Sequence, residues 1–277
     1  MVTTREMLAD ARKGGYAVGA FNVENLEMIK AVLMAAKEME AEVILQTTPS
    51  TIRYGELSSF TAMADAEAKR LGVRAALHLD HGDSFSLAAR ALRQGYTSLM
   101  IDGSGLGFEE NVELTRRVVE MASPNQIPVE AELGTVGGKE DDRVSEGDGL
   151  TDPEEAREFA ARTGVGSLAV AIGTAHGFYR SAPKLDLERL EAIRKVTEIP
   201  LVLHGASGLS DQEVQACIRR GICKVNFATE LRAAYTDGVK EILRDKPSVY
   251  DPKKYGEAGI RRVQELVKHK IQICSCR

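Results

Sequence analysis

Short apolar or β-branched runs alternate along this chain with longer segments in which apolar residues recur at helical spacing. Eight runs have the length and character of buried strands, and eight segments have the period of amphipathic helices. The predicted strands are Ala17–Asn22, Glu42–Thr48, Arg74–Leu79, Ser98–Ile101, Ile127–Ala131, Ser167–Ile172, Pro200–Leu203 and Ile222–Phe227. The predicted helices are Leu26–Glu40, Phe60–Leu71, Ser84–Gln94, Glu109–Met121, Pro153–Thr163, Leu185–Val196, Ser210–Arg219 and Glu230–Arg244.

Capping residues support several of these helix boundaries. Asp152 followed by Pro153 is typical of a helix start, and Ser210 with Glu213 three residues later forms a capping-box pattern. Glycines follow three of the predicted helices, at the position where a left-handed residue often ends a helix. These glycines are Gly95, Gly164 and Gly221.

The regular alternation of strand and helix favours a parallel sheet covered by helices. A doubly wound open sheet would satisfy the pattern. Eight units, with an added N-terminal helix at Thr4–Lys13 and a C-terminal helix at Gly256–Lys270, fit a (β/α)8 TIM barrel better. No linker rich in Pro, Gly or Ser divides the chain, so we expect one domain over residues 1–277.

The longest segment without a strand or helix pattern is Gly134–Leu150, which is rich in glycine and acidic residues. Loops of this length inside a compact domain are usually functional or mobile. The alternative is a solvated surface insertion.

The composition narrows the class of protein. Of the 277 residues, 43% are hydrophobic and 28% are charged, as in ordinary globular proteins. The formal net charge of −5 argues against a nucleic-acid-binding protein, so local groups must hold any anionic ligand. No apolar stretch reaches the roughly 18 residues of a membrane helix. The N-terminal segment carries charges throughout and lacks the apolar region of a signal peptide.

Four cysteines are too few for a disulfide framework in a chain of this length. We therefore expect reduced thiols and a cytoplasmic protein. Cys274 and Cys276 form a C-x-C pair near the end. Because no second cysteine pair lies beside it, we interpret the pair as two thiols rather than a zinc site.

Most of the histidines follow predicted strands, whose carboxyl ends form the active site of a parallel barrel. Three histidines from separate strands, with no cysteine among them, are typical of a catalytic zinc ion with one open coordination position. His81, His176 and His204 are the predicted ligands, and His78 is interpreted as a supporting or packing residue. The polar side chains at these strand ends are His78, Asp80, His81, Asp102, Glu130, Glu132, His176, His204 and Asn226.

Glycines and hydroxyl residues follow the last three of these strands. They occur at Gly177, at Gly205–Gly208 and at Asn226–Thr229, just before predicted helices. The loops after strands seven and eight of a barrel commonly bind phosphate through backbone N–H groups and a helix N-terminus. Together with a metal site, they predict a phosphorylated carbonyl substrate.

Seven motifs, taken in order, resemble those of the class II, zinc-dependent ketose-bisphosphate aldolases, which include fructose- and tagatose-bisphosphate aldolases. They are AFNVEN (20–25), HLDHG (78–82), MIDGS (100–104), VEAELGTVGGKEDD (129–142), GTAHG (173–177), LHGASG (203–208) and KVNFAT (224–229). The motifs span nearly the whole chain. The resemblance implies a metal-dependent lyase that reversibly cleaves a ketohexose 1,6-bisphosphate into dihydroxyacetone phosphate and glyceraldehyde 3-phosphate.

The resemblance also implies roles for individual residues. The three histidines would bind Zn²⁺, and Asp102 and Glu132 match carboxylates that can hold a second or displaced metal ion. Asp80 would exchange the proton of the aldehyde-derived hydroxyl, and Glu140 matches a mobile acid/base acting at the dihydroxyacetone phosphate carbon. Thr48 falls where the family places a small hydroxyl residue near the aldehyde substrate. The residues that match dihydroxyacetone phosphate contacts are Gly177, Gly205, Ala206, Ser207, Asn226, Phe227, Ala228 and Thr229.

Three further expectations come from the resemblance. The protein would be a homodimer or homotetramer, and a monovalent cation such as Na⁺ could lie beside the phosphate. An arginine of a neighbouring subunit would meet the distal phosphate, with Arg261 and Arg262 as candidates. The stretches QTTPSTIRY (46–54) and KVNFATELR (224–232) look more like those of tagatose-bisphosphate enzymes. Fructose bisphosphate stays a near alternative, and an inositol-catabolic aldolase is a third.

Other classes of protein remain as alternatives. A metal-dependent hydrolase commonly has an H-x-H on its first strand, which Ala17–Asn22 lacks. A Schiff-base aldolase could use Lys224, which shares a strand face with Asn226, but it would leave the three histidines without a role. A non-catalytic metal-binding or helper subunit is the remaining alternative.

Overall fold

The computed structural model describes residues 1–140, 143–145, 149–179 and 183–276, and at 139–140 and 143–145 it describes the backbone alone. Its strands are β1 (Val18–Asn22), β2 (Val43–Thr47), β3 (Ala75–Gly82), β4 (Ser98–Ile101), β5 (Val129–Leu133), β6 (Gly137–Glu140), β7 (Arg143–Ser145), β8 (Ser167–Val170), β9 (Ala175–His176), β10 (Leu201–Leu203) and β11 (Ile222–Phe227). Its helices are α1 (Thr4–Gly14), α2 (Leu26–Glu38), α3 (Pro49–Gly55), α4 (Leu57–Leu71), α5 (Phe85–Arg93), α6 (Phe108–Ala122), α7 (Pro153–Thr163), α8 (Leu187–Val196), α9 (Asp211–Arg219), α10 (Thr229–Asp245) and α11 (Pro252–Cys274), with a 3₁₀ turn at Ser123–Asn125.

Eight strands close into a parallel barrel in the order β1-β2-β3-β4-β5-β8-β10-β11. Every residue of these eight strands is buried. Strands covered on both faces have no solvent side, which is why they read as apolar runs rather than as an alternating pattern. The predicted (β/α)8 barrel is confirmed.

The two added helices cover different parts of the barrel. Met7 and Leu8 of α1 pack in one apolar cluster with Ala20, Ile44 and Ala76 from three neighbouring strands. The long helix α11 packs against α2 and α10 on the outside. No helix in the described part of the chain is long and apolar enough to cross a membrane.

The predicted helix caps have the expected geometry. Asp152 and Ser210 each accept a hydrogen bond from a backbone N–H of the first helical turn, and Glu213 completes a capping box with Ser210. The three glycines predicted to end helices have positive φ angles, as only glycine adopts easily. These glycines are Gly95, Gly164 and Gly221.

Two parts of the fold differ from the sequence prediction. Helix α3 was not predicted, because its seven residues are too short to show a period. Gly134–Leu150 was predicted to be irregular, which is wrong. It contains β6 and β7, an antiparallel pair, and β6 also pairs in parallel with β9. Strands this short, rich in glycine and charge, carry no apolar run that could have revealed them.

Candidate metal and acid/base site

Three imidazoles converge at the carboxyl ends of the barrel strands. His81 lies in β3, His176 in β9, and His204 directly follows β10. The ring centroid of His81 lies 4.7 Å from that of His204 and 5.1 Å from that of His176. The centroids of His176 and His204 are 5.9 Å apart. One ring nitrogen of each residue lies within 4.8 Å of the other two. Three imidazole nitrogens from separate strands fit a catalytic zinc ion.

Asp102 orients the imidazole of His81. Its Oδ2 lies 2.9 Å from Nδ1 of His81, and its Oδ1 accepts hydrogen bonds from the backbone and hydroxyl of Ser104. Burial alone would raise the pKa of Asp102, but His81 and Ser104 hold it well below its usual range. His81 has a φ of 47°, where the pairing of β3 with β4 shifts register. Because Asp102 binds Nδ1, Nε2 is the ring nitrogen that would face a metal ion.

Glu130 and Glu132 hold the ring of His204 from two sides. Nε2 of His204 lies 3.0 Å from Oε1 of Glu130, and Nδ1 lies 3.3 Å from Oε2 of Glu132. Burial would lower the pKa of His204, but the two carboxylates outweigh it and raise the pKa to about 9. Nδ1 of His204 and Oε2 of Glu132 are both buried and face each other, but among the described residues neither has a hydrogen bond of good geometry. A buried nitrogen and carboxylate oxygen in this state fit a bound cation.

The carboxylates predicted to hold a second or displaced metal ion also lie at this end. Ligand atoms of His81, Asp102 and Glu132 lie within 4.8 Å of one another, so these residues form a second possible group around the same imidazole. The two groups share His81.

A buried ion pair supports Glu130 from below. Nζ of Lys224 lies 2.8 Å from Oε2 and 3.1 Å from Oε1 of Glu130, and both side chains are at most 2% exposed. Burial alone would raise the pKa of Glu130. The ammonium group of Lys224 and the imidazole of His204 outweigh this effect and hold the pKa well below its usual range. Because this amine is paired and sealed from solvent, it is a poor candidate for a Schiff-base nucleophile.

His78 lies beneath the metal-binding residues. Its Nδ1 is 2.8 Å from Oγ of Ser98, and its Nε2 is 3.5 Å from Nζ of Lys224. Burial and the neighbouring ammonium lower the pKa of His78 well below its ordinary value. It is thus a neutral imidazole that packs against Lys224, as the interpretation of His78 as a supporting residue requires.

Asp80 is fully buried and held by two amide groups. Its Oδ2 accepts a hydrogen bond of 2.8 Å from Asn22, and its Oδ1 accepts one of 3.2 Å from Asn226. Asn22 in turn accepts a hydrogen bond from Gln46. Neither Asn22 nor Gln46 was singled out in the sequence. The sequence feature that could have identified them is their position, because each is a polar residue near the carboxyl end of a barrel strand.

The predicted phosphate loops lie beside this group. Gly205, Ala206 and Ser207 follow β10, and Oγ of Ser207 accepts a hydrogen bond from the backbone of Ala228, just before α10. Among the described residues no side chain caps the start of α10, where an anion could accept from free backbone N–H groups of the first turn. The ring of Phe227 stacks on Phe21 in the core, with ring centroids 5.7 Å apart, so a substrate contact of Phe227 would come from its backbone.

Thr48 belongs to a chain of polar contacts at the rim. Its hydroxyl caps α3 and lies 3.0 Å from Oγ1 of Thr51, which donates to Glu24. Glu24 also accepts a hydrogen bond of 2.7 Å from Arg232. The sequence prediction did not single out Glu24 or Arg232. The candidate Arg262 instead pairs with Glu241 on the exposed face of α11.

The strand that carries His176 is fixed by close glycine packing. Gly138 has a φ of 96°, and a Cβ there would lie 2.8 Å from the backbone nitrogen of His176. A Cβ on Gly205 would lie 2.6 Å from the carbonyl oxygen of Ala175. The hydroxyl of Tyr179 accepts from Ala175 and donates to Gly205. Glu140 ends the same strand as Gly138, but its side chain, and with it the predicted acid/base role, lies outside the described residues.

We predict that Gly138→Ala weakens zinc binding, because the new methyl group would push β9 and His176 away. The zinc dissociation constant should rise about tenfold or more, the usual scale for disturbing the support of a metal ligand. Competition with a chromogenic chelator measures it. The matched control is Gly105→Ala, where a Cβ meets nothing within 4 Å. Equal zinc affinities for the two variants would contradict the prediction.

The chain is similar to known proteins over nearly its whole length. The family model described as class-II fructose-bisphosphate aldolase matches residues 2–277. The YdjI aldolase of Escherichia coli K12 is 36% identical over 99% of this chain and 97% of that chain, with a TM-score of 0.88. A proposed fructose-1,6-bisphosphate aldolase from Coccidioides immitis is 33% identical over 98% and 95%, with a TM-score of 0.89.

A fructose-bisphosphate aldolase from Campylobacter jejuni is similar in fold, at 22% identity over 98% of this chain and 93% of that chain, with a TM-score of 0.83. Family model and relatives thus agree over almost the full length of the chain. They place the chain in a family of metal-dependent lyases. The chain belongs to the class-II fructose-bisphosphate aldolase family.

Proposed function

We propose that this protein catalyses the zinc-dependent, reversible aldol cleavage of a ketohexose 1,6-bisphosphate to dihydroxyacetone phosphate and glyceraldehyde 3-phosphate. Tagatose 1,6-bisphosphate is the favoured substrate and fructose 1,6-bisphosphate a near alternative. One observation carries the proposal: three imidazoles and an amide-bound Asp80 meet at one end of the barrel. The relative from Coccidioides immitis, described as a fructose-1,6-bisphosphate aldolase, supports a bisphosphate substrate.

His81, His176 and His204 would hold the zinc ion, His81 through Nε2 and His204 through Nδ1. A zinc ion there would supply a Lewis acid for negative charge developing on substrate oxygens. Asp102 and Glu130 keep the two rings in the required orientation by hydrogen bonds to their other nitrogens. Asp102 and Glu132 would receive a second or displaced ion, and a monovalent cation such as Na⁺ is proposed beside the phosphate.

Asp80 would take the hydroxyl proton in cleavage and return it in condensation. The amides of Asn22 and Asn226 donate to its two oxygens and favour the carboxylate form that accepts a proton. Oδ1 of Asn226 is buried without a hydrogen bond among the described residues, so it can accept from a substrate hydroxyl. Glu140 would move the second proton, at carbon.

The phosphate of dihydroxyacetone phosphate would bind at Gly177, Gly205–Ser207 and the start of α10. Backbone N–H groups and the helix dipole bind an anion without a basic surface. This arrangement is compatible with the net charge of −5. Asn226–Thr229 would complete this part of the site.

The preference for tagatose rests on the stretches 46–54 and 224–232. The rim contacts join these two stretches, because Thr51 and Arg232 both bind Glu24. The two sugars differ in configuration at one carbon, so a few contacts at this rim could decide between them.

We also propose a homodimer or homotetramer in which Arg261 or Arg262 contacts the distal phosphate in a neighbouring subunit. The four free cysteines support a reducing, cytoplasmic location.

We predict that the purified, zinc-loaded protein cleaves tagatose 1,6-bisphosphate with a higher kcat/KM than fructose 1,6-bisphosphate. A coupled assay that reduces dihydroxyacetone phosphate measures both on one preparation, with and without prior chelation. Chelation should abolish cleavage and added Zn²⁺ should restore it. Full activity after chelation would overturn the zinc mechanism, and a preference for fructose would reverse the sugar assignment. Absence of cleavage of either sugar would favour a helper subunit or another ketose phosphate.

We predict that Asp80→Asn lowers kcat by about 10²-fold or more, the usual scale for loss of a general acid/base. Asparagine keeps the size of the side chain but cannot accept the hydroxyl proton. Zinc content and thermal unfolding should stay close to wild type, because His81 and its support are unchanged. Asp83→Asn is the matched control, since Asp83 is exposed three residues away. A near-normal kcat for Asp80→Asn would remove this residue from the mechanism.

A further inference from the structure

A recess of about 330 Å³ lies at the opposite end of the barrel from the imidazoles. The chain enters β10 after α8 and β11 after α9, so the last turns of these helices lie at the amino ends of the strands. The C-terminal part of α1 completes the wall. The lining residues are Arg12, Glu191, Arg194, Lys195, Arg219 and Arg220.

The recess is strongly basic in a chain of net charge −5. Five of its six lining side chains are cationic. Glu191, the one carboxylate, is paired with Arg220 at 2.8 Å. The other four cations form no ion pair within the ranges that the structure describes. These are Arg12, Arg194, Lys195 and Arg219.

The arginines are held toward a common space. Gly221 has a φ of 108°, and a Cβ there would lie 2.9 Å from both Cγ and Nε of Arg194, so the glycine lets this side chain lie across the backbone. Arg220 is fixed by Glu191 and by a hydrogen bond to the carbonyl of Ala216. Burial raises the pKa of the Cys223 thiol, and the positive charges of Arg12 and Arg194 oppose that rise.

Helix dipoles account for only part of this arrangement. Cations are common in the last turn of a helix, and most of these residues lie in such turns. A dipole effect needs a cation near each helix end but does not bring three helix ends around one recess. Mutual repulsion of unpaired cations in that recess is relieved by a bound anion. Guanidinium groups bind phosphate oxygens through paired hydrogen bonds.

We propose that this recess at the amino end of the barrel binds a small, multiply charged phosphate compound, separately from the substrate. Arg12, Arg194 and Arg219 supply the main contacts. The volume fits a compound of the size of a diphosphate rather than a polymer. The site lies far from the imidazoles along the barrel axis, so its ligand is not the ketose being cleaved.

Isothermal titration of inorganic pyrophosphate into the zinc-loaded protein at low salt tests the proposal. Saturable binding is expected, and Arg194→Glu should weaken it about tenfold or more. Arg93→Glu is the matched control, because Arg93 is also an exposed arginine in the last turn of a helix but lies outside the recess. It should leave the dissociation constant within about twofold. Zinc content before and after titration checks that pyrophosphate does not remove the metal.

Several outcomes would overturn the proposal. Binding that is unchanged in Arg194→Glu would place pyrophosphate elsewhere, including at the active end of the barrel. Equal weakening in Arg93→Glu would show a general charge effect. Lack of saturation at low millimolar pyrophosphate would show that no such site exists. A single-stranded RNA oligonucleotide that binds more tightly, with the same loss in Arg194→Glu, would replace the small ligand by a nucleic acid.

Discussion

The buried ion pair of Lys224 and Glu130 is the interaction on which the metal-binding end of the barrel depends. Two charges taken out of water are stable only when each is well hydrogen-bonded, and removal of one partner from such a pair typically costs about 3–5 kcal/mol. Here Glu130 accepts from Lys224 at 2.8 Å and faces His204 at 3.0 Å. The carboxylate therefore stays ionised and holds Nε2 of His204, so that Nδ1, which faces Glu132, is the nitrogen that would meet a metal ion. Asp102 acts on His81 in the same way from the neighbouring strand.

Much of the fold could be predicted from the sequence, since parallel strands buried on both faces are apolar runs and amphipathic helices show their period. All eight barrel strands were found, with ends displaced by a few residues. The small sheet of β6, β7 and β9 could not be found, because its pairing depends on Gly138 fitting against the backbone of His176 rather than on an apolar pattern. Such a contact between distant segments leaves no local signal.

The candidate site, like the fold, could be predicted from the sequence only in part. Position at the ends of strands was enough to single out His81, His204 and Asp80, because ionisable groups are rare in buried strands without a function. It did not distinguish ligands from the groups that orient them. Glu130 and Lys224 face each other across the barrel from positions 94 residues apart. Asn226 was predicted to contact dihydroxyacetone phosphate, and its hydrogen bond to Asp80 could not be predicted. These partners follow from barrel closure, which the sequence indicates only as a fold class.

X-ray absorption at the zinc K-edge, on protein loaded with one equivalent of Zn²⁺, tests the central claim most directly. That claim is a metal ion held by three imidazoles at the carboxyl end of the barrel. The spectrum should show nitrogen and oxygen neighbours at about 2.0–2.1 Å with the multiple scattering of imidazole, and His204→Ala should remove one imidazole contribution. A sulfur neighbour at about 2.3 Å, or a spectrum unchanged in His204→Ala, would contradict the account.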